Sequence, residues 1–263
     1  MGFDPKGLRV LLTGGSSGIG AALAERLAAA GAIVGVTARD EGRLDAVLRR
    51  CQDHVPECRS WSCDLAEPEQ VDDLAVRALD ELGGVDVLIN NAGVPKRKHV
   101  TLLDAATIEV ITRINYLAPV QLTLALLPHM LQRGSGRIVN VSSVAATLSS
   151  PGEAAYDASK AALAVFSEAM AVDVWDTGIK VLVVYPGVVD TPLFDVPDND
   201  PMTDEISRIS VDDLVDGVMD ALDRDAAEVY VPDWFKGIAA DKAKDVGAFL
   251  AGTAEWVRSH ASG

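Results

Sequence analysis

Tyr156 and Lys160 stand four residues apart in Tyr156-Asp157-Ala158-Ser159-Lys160. On a helix that spacing brings two side chains to one face, a turn apart. A phenol titrates at about 10 and is a poor acid–base group at neutral pH. An ammonium one turn away favours its anion and draws the pKa toward the working range. Upstream, Ser142 and Ser143 directly follow the apolar run Ile138–Val141. A hydroxyl there can hold a carbonyl oxygen beside the phenol. Chemistry alone does not choose between the two serines. The chemistry indicated is proton transfer to or from an oxygen of a small molecule.

A second group of residues suits an anion. The apolar run Arg9–Thr13 leads into Thr13-Gly14-Gly15-Ser16-Ser17-Gly18-Ile19-Gly20, where a helix begins. Gly14 permits a tight turn, Gly18 lets backbone approach a pyrophosphate, and Gly20 allows close helix–strand packing. Free amides at the helix start face the anion. Three further clusters close apolar runs: Cys63-Asp64-Leu65, Asn90-Asn91-Ala92-Gly93, and Tyr185-Pro186-Gly187-Val188-Val189-Asp190-Thr191-Pro192. Singly, Asp64 is also a helix cap and the others are ordinary turns.

The elements that must position these residues are legible as an alternation. Strands are expected at Arg9–Thr13, Ile33–Ala38, Arg59–Cys63, Val85–Asn90, Arg137–Val141, Lys180–Tyr185 and Glu228–Val231. Most are nearly continuous in aliphatic residues, as in parallel strands covered on both faces. Helical patterns lie between them at Ile19–Ala30, Gly42–Arg50, Glu69–Leu82, Leu102–Arg133, Ala154–Asp176 and Val211–Leu222. Gly31 supplies a left-handed C-cap for the first. This order predicts right-handed crossovers and an α/β fold: one Rossmann-type domain spanning 1–263, with a doubly wound, seven-stranded parallel sheet flanked by helices. Every cluster named above then falls at the carboxyl edge of the sheet, where ligands bind.

The spacing T-G-x-x-x-G-I-G departs from G-x-G-x-x-G and, with Tyr-x-x-x-Lys, resembles the short-chain dehydrogenase/reductase family. The resemblance runs through at least Leu193. It implies hydride transfer between a nicotinamide dinucleotide and a carbonyl or alcohol. By that likeness Tyr156 is the proton donor, Lys160 activates it and binds ribose, and family spacing selects Ser143 over Ser142. Asn115 is awkward in a helix interior; the family's matching asparagine bends that helix and holds a water linking lysine to solvent. The cofactor site would comprise Gly14, Ser16, Ser17, Gly18, Ile19 and Gly20, with Asp64 and Leu65 at the adenine. Asn91, Ala92 and Gly93 would form the floor, with Pro186, Gly187, Val189 and Thr191 at the carboxamide and phosphate. Family members preferring NAD carry an aspartate where this chain has Ala38. Arg39 follows, and its guanidinium can grip a 2′-phosphate. NADP(H) is therefore expected over NAD(H), although Asp40 next door either caps a helix or meets ribose.

The substrate expected is a hydrophobic ketone, aldehyde or alcohol, on the apolar residues Val94, Val144, Ala145, Ala146, Pro151, Phe194 and Met202. Two other readings stand beside it. One is a 3-ketoacyl-carrier-protein reductase, with Lys96, Arg97 and Lys98 greeting an acidic carrier. The other is a catalytically silent NADP-binding subunit. Residues 193–210, rich in acids and proline, are expected to form a substrate lid. Residues 233–263, with five large apolar side chains, form a C-terminal extension that docks on the domain or on a partner. The family likeness implies a homodimer or homotetramer.

A formal net charge of −16 over 263 residues disfavours nucleic acid and anionic lipid as partners. No apolar stretch is expected to span a bilayer, and a cytoplasmic location is expected. Cys51, Cys58 and Cys63 lack paired C-x-x-C spacing, so no metal site is expected and reduced thiols are.

Overall fold

A computed structural model of the chain describes residues 2–191, 198–200 and 207–260. Seven parallel strands form one sheet: β1 (Arg9–Thr13), β2 (Ile33–Ala38), β3 (Arg59–Ser62), β4 (Val87–Asn90), β5 (Gly136–Val141), β6 (Ile179–Pro186) and β7 (Glu228–Val231). Their order is β3-β2-β1-β4-β5-β6-β7, so the chain reverses direction of travel across the sheet between β1 and β4. That crossover opens the crevice in which doubly wound folds hold ligands.

The strands are covered on both faces because both sets of alternating side chains are apolar. Val10, Leu12, Val34, Val36, Ile89, Val139 and Leu182 face α1 (Gly18–Ala29), α2 (Glu41–Gln52) and α8 (Val211–Asp223). Leu11, Leu88, Ile138 and Val181 face α3 (Pro68–Glu81), α5 (Ala118–Arg133) and α7 (Ala154–Asp173). Helix ends follow local chemistry. Gly31 (φ +90°) ends the turn after α1 and Gly134 (φ +65°) the turn after α5. Ser210 and Asp213 close a reciprocal capping box on α8.

The expected helix over Leu102–Arg133 is subdivided. A 3-10 turn (Val100–Leu102) precedes α4 (Ala105–Thr112), and a π turn (Arg113–Leu117) joins α4 to α5. Contrary to the expectation that no apolar stretch approaches membrane-spanning length, the helical run Ala105–Arg133 has 29 residues and is apolar enough to span. It is a core helix by packing: Ile111, Ile114, Ala118, Leu122, Leu126 and Met130 are buried in the protein.

Three helices were not legible in the sequence: α6 (Ala145–Leu148), α9 (Phe235–Lys244) and α10 (Val246–His260). The last two form the C-terminal extension, and it docks on the domain. Phe235 presses so closely on Gly187 that a Cβ there would lie 2.6 Å from the ring. The Lys242 ammonium donates to Thr147 O at 2.6 Å and Ser149 Oγ at 2.8 Å, capping the end of α6. Most of the expected lid, including Phe194 and Met202, lies outside the described residues.

Candidate active site

One cavity of about 1360 Å³ opens along the carboxyl edge of the sheet. Every catalytic or cofactor residue expected from sequence lines it except Asn115, which lies fully buried beneath.

At the amino end the glycine loop is held by its neighbours. The Thr13 hydroxyl accepts from Asn91 N and Ala92 N, both at 3.1 Å, and the Asn91 amide donates to Thr13 O at 3.0 Å. Asn91 therefore fixes the loop as well as lining the cavity, and Thr13, the first residue of the T-G-x-x-x-G-I-G spacing, holds the β4 loop through its hydroxyl. A Cβ on Gly14 (φ +71°) would stand 2.8 Å from Ala92 Cα, and one on Gly20 2.2 Å from Gly14 O. Ser17 is extended at the start of α1 and its side chain makes no cap hydrogen bond. The first-turn amides are thus left to a ligand, and the cradle fits the pyrophosphate of a dinucleotide.

Past β2, Asp40 caps α2, accepting from Arg43 N at 3.0 Å and pairing with Arg43 Nε at 3.1 Å. Of the two readings left open for Asp40, the structure shows the helix cap, with one bond on each carboxylate oxygen. Arg43 lines the cavity with Arg39. It stands in the first turn of α2, past the Asp40 cap, and no spacing rule pairs it with Arg39, which precedes the helix. Asp64 likewise lines the cavity while its carboxylate accepts from Ala66 N at 3.0 Å.

At the other end Tyr156 and Lys160 emerge from the first turns of α7. The Lys160 ammonium, 3% exposed, lies 6.0 Å from the Tyr156 ring centre and donates to Val141 O at 2.8 Å. Burial lowers its pKa to about 8. In the protein alone the phenol pKa is raised; the lowering expected from sequence counts the positive charge of an oxidised nicotinamide together with the lysine. Burial is the main cause, the Ser143 hydroxyl opposes it by hydrogen bonding, and the Glu153 and Asp157 charges add to it. Desolvation outweighs the Ser143 hydrogen bond.

Asn115 sits in the π turn, which resolves the conflict between asparagine and a helix interior. Its Oδ1 accepts from Val94 N at 2.8 Å, and its Nδ2 donates to Val94 O and Ser159 Oγ, both at 3.0 Å. Ser159 Oγ in turn donates to Tyr156 O at 2.7 Å. Asn115 is thereby tied to both the β4 loop and the catalytic helix.

The walls around Tyr156 are only partly those expected. Val94, Val144, Ala145 and Pro151 line the cavity, whereas Ala146 turns into a small core cluster with Val144 and Val183. A buried Arg97 faces Glu153 at 3.8 Å, and burial raises the Glu153 pKa. These two come from distant segments, and no local signal pairs them. Lys96 and Lys98 do not stand ready for an acidic carrier. Lys96 Nζ donates to Asp198 Oδ2 at 2.8 Å, and Lys98 Nζ bonds the other oxygen. Arg97 N donates to Asn199 Oδ1 at 2.8 Å and Nε to Asp200 O at 3.0 Å; Asp200 N returns a bond to Arg97 O at 2.8 Å. Three consecutive residues after β4 thus clasp three consecutive residues after β6.

Among the described residues, no group of three His, Cys, Asp or Glu side chains is placed to hold a metal ion. The three thiols are buried and unbridged, and desolvation raises all their pKa values, that of Cys51 to about 12.

Comparison with known proteins decides the family. Residues 9–200 match the short chain dehydrogenase family. The chain belongs to the short-chain dehydrogenase/reductases. The chain is 37% identical over 190 residues to a fatty acyl-CoA reductase of Acinetobacter baylyi, covering 72% of this chain and 64% of that protein. It therefore spans less than two thirds of that relative. An uncharacterized oxidoreductase of Staphylococcus saprophyticus is 35% identical over 184 residues, covering 70% and 79%. Among solved structures, a short-chain dehydrogenase from Sphingobium yanoikuyae in complex with NADPH has a TM-score of 0.81 at 31% identity, over 96% of this chain and 95% of that one. One from Burkholderia phymatum in complex with NAD has a TM-score of 0.85 at 23% identity, over 93% and 95%, a likeness of fold. This short-chain dehydrogenase/reductase carries the Rossmann-type domain on which the Sphingobium relative holds NADPH.

Proposed function

We propose that this enzyme interconverts a hydrophobic ketone or aldehyde and its alcohol, with NADP(H) as the preferred cofactor. One observation carries the reading. Ser143, Tyr156 and Lys160 line the same cavity as the glycine loop, with Asn115 tied to the same helix beneath them. A nicotinamide dinucleotide, when bound, supplies the hydride chemistry. Gly14 to Gly20, Asn91 to Gly93 and Val189 with Thr191 would hold it; Arg39 and Arg43 would meet a 2′-phosphate.

The chain's own residues handle the proton. In reduction Tyr156 gives its proton to the developing alkoxide while the Ser143 hydroxyl hydrogen-bonds the same oxygen. Lys160 offers a buried ammonium beside the phenol, which favours the phenolate left behind. Asn115 fixes the β4 loop against α7 and so holds the donor in place.

NADP is favoured because two arginines line the cavity beyond β2 while the nearby carboxylate of Asp40 is engaged. The Sphingobium relative, whose structure contains NADPH, supports the same choice. Apolar walls at Val94, Val144 and Ala145 favour a hydrophobic substrate, as does the fatty acyl-CoA reductase among the relatives. A homodimer or homotetramer fits two exposed stripes at heptad spacing: Leu117 at the end of the π turn with Leu124 and Leu131 along α5, and Val165 and Val172 along α7 beside Trp175. A cytoplasmic site of action fits the unbridged thiols.

The test is loss of NADPH absorbance with a panel of ketones and aldehydes, wild type against Tyr156→Phe. Turnover that collapses in the variant, with cofactor binding retained, is expected. Full turnover in the variant refutes the mechanism, and a wild type inert to every carbonyl favours a silent binding subunit.

A further inference from the structure

We propose that the C-terminal helix α10 completes the substrate site, with Trp256 and Val257 as specificity-determining residues that select carbonyl substrates with a large apolar body. The inference rests on the oxidoreductase reading above and adds to it the part of the chain that recognises substrate. Both residues line the cavity that holds Ser143 and Tyr156, although they lie about a hundred residues beyond Tyr156 in sequence. They also lie past residue 200, where the family match ends.

Three contacts bring α10 there. Phe235 seats the start of α9 against Gly187, a cavity-lining residue with no room for a Cβ on that side. Lys242 fastens the end of α9 to Thr147 O and Ser149 Oγ, at the end of the short helix that follows Ser143. The Lys242 ammonium lies 5.9 Å from the Phe249 ring, which sets the start of α10 beside the same clamp. From that anchor the second half of α10 reaches the cavity.

The chemistry of the two side chains names the substrate. An indole at a cavity wall gives that wall a large apolar surface. Val257 beside it adds a branched aliphatic surface. Neither offers a carboxylate or ammonium to an ionic substrate. A long or bulky hydrocarbon next to the carbonyl has apolar surface to lay against this wall, and a short ketone has little.

The experiment compares 2-decanone with 2-butanone. Trp256→Ala should lower kcat/KM for 2-decanone about tenfold relative to 2-butanone, chiefly through KM, with Trp256→Phe recovering most of the loss. About 1.4 kcal/mol corresponds to that factor of ten. Calorimetric binding of 2-decanone to the NADP-loaded protein should weaken by the same factor, a readout that does not need turnover. Equal losses for both ketones, or unchanged 2-decanone affinity in Trp256→Ala, overturn the proposal. Absent turnover with tight 2-decanone binding that Trp256→Ala weakens would instead sink the oxidoreductase reading and leave this one standing.

Discussion

Removing the two arginines beyond β2 tests the cofactor choice most directly. Arg39 and Arg43 both line the cavity, and Arg43 is held by Asp40 with its side chain 65% exposed. A hydrogen bond to a charged group contributes about 1.5–3 kcal/mol when shielded. Exposure and salt screening reduce this toward the roughly 0–1 kcal/mol of surface pairs. About 1.4 kcal/mol per arginine, a factor of roughly ten, is the value between these limits. Arg39→Ala and Arg43→Ala should each weaken NADPH about tenfold. The double variant should fall short of the product, because neighbouring charges on one phosphate do not act independently. NADH, which lacks the phosphate, should change less than about twofold. Asp40→Ala serves as the control: it removes a helix cap worth about 1 kcal/mol of stability and should leave NADH affinity alone. Titration of reduced-nicotinamide fluorescence measures all of these. Parallel weakening of NADH and NADPH by the arginine variants, or a selective loss of NADH in Asp40→Ala, would refute the argument.

Other expectations follow from single sites. Asp157 is buried with a raised pKa of about 7, caused first by burial and then by Glu153; Ser150 N and Lys242 oppose the shift. The folded state therefore keeps a proton that the unfolded state releases at about 3.8. Stability falls as pH rises between those values, by at most about 1.4 kcal/mol per unit. Denaturant melts of Asp157→Asn should show a flatter profile between pH 5 and 7, and an unchanged slope would discount this carboxyl. Asp86 binds Arg9 and Arg133 at the amino edge of the sheet, away from the cavity, and its pKa is lowered to about 2. Asp86→Ala should cost about 2 kcal/mol, or roughly 4–8 °C in melting temperature, with cofactor affinity preserved. Asn115→Ala leaves Val94 N and O without their side-chain partner; about 2 kcal/mol of stability and most of the turnover should go together, and undiminished turnover would separate Asn115 from catalysis.

The sheet was legible because each strand is a short, nearly continuous apolar run, and both faces of the structure bury it. The cofactor end was legible because its residues lie contiguously at strand ends, where the chain must turn. What escaped was set by contacts distant in sequence. α6 has only four residues, too few for a periodic pattern. The π turn depends on Asn115 meeting Val94 and Ser159. The phenol pKa followed burial, which spacing does not reveal. Trp256 gained its place from a lysine clamp on α6, formed by residues 93 and 95 positions apart.

The reciprocal ties between residues 96–98 and 198–200 have a consequence for protein engineering. Loop grafting among homologues is often done one segment at a time. Here a transplanted post-β6 segment without its acidic partner would strand two ammonium groups at the cavity mouth and strip Arg97 of three main-chain and amide bonds. The two stretches form a matched set, and a chimera must inherit them together.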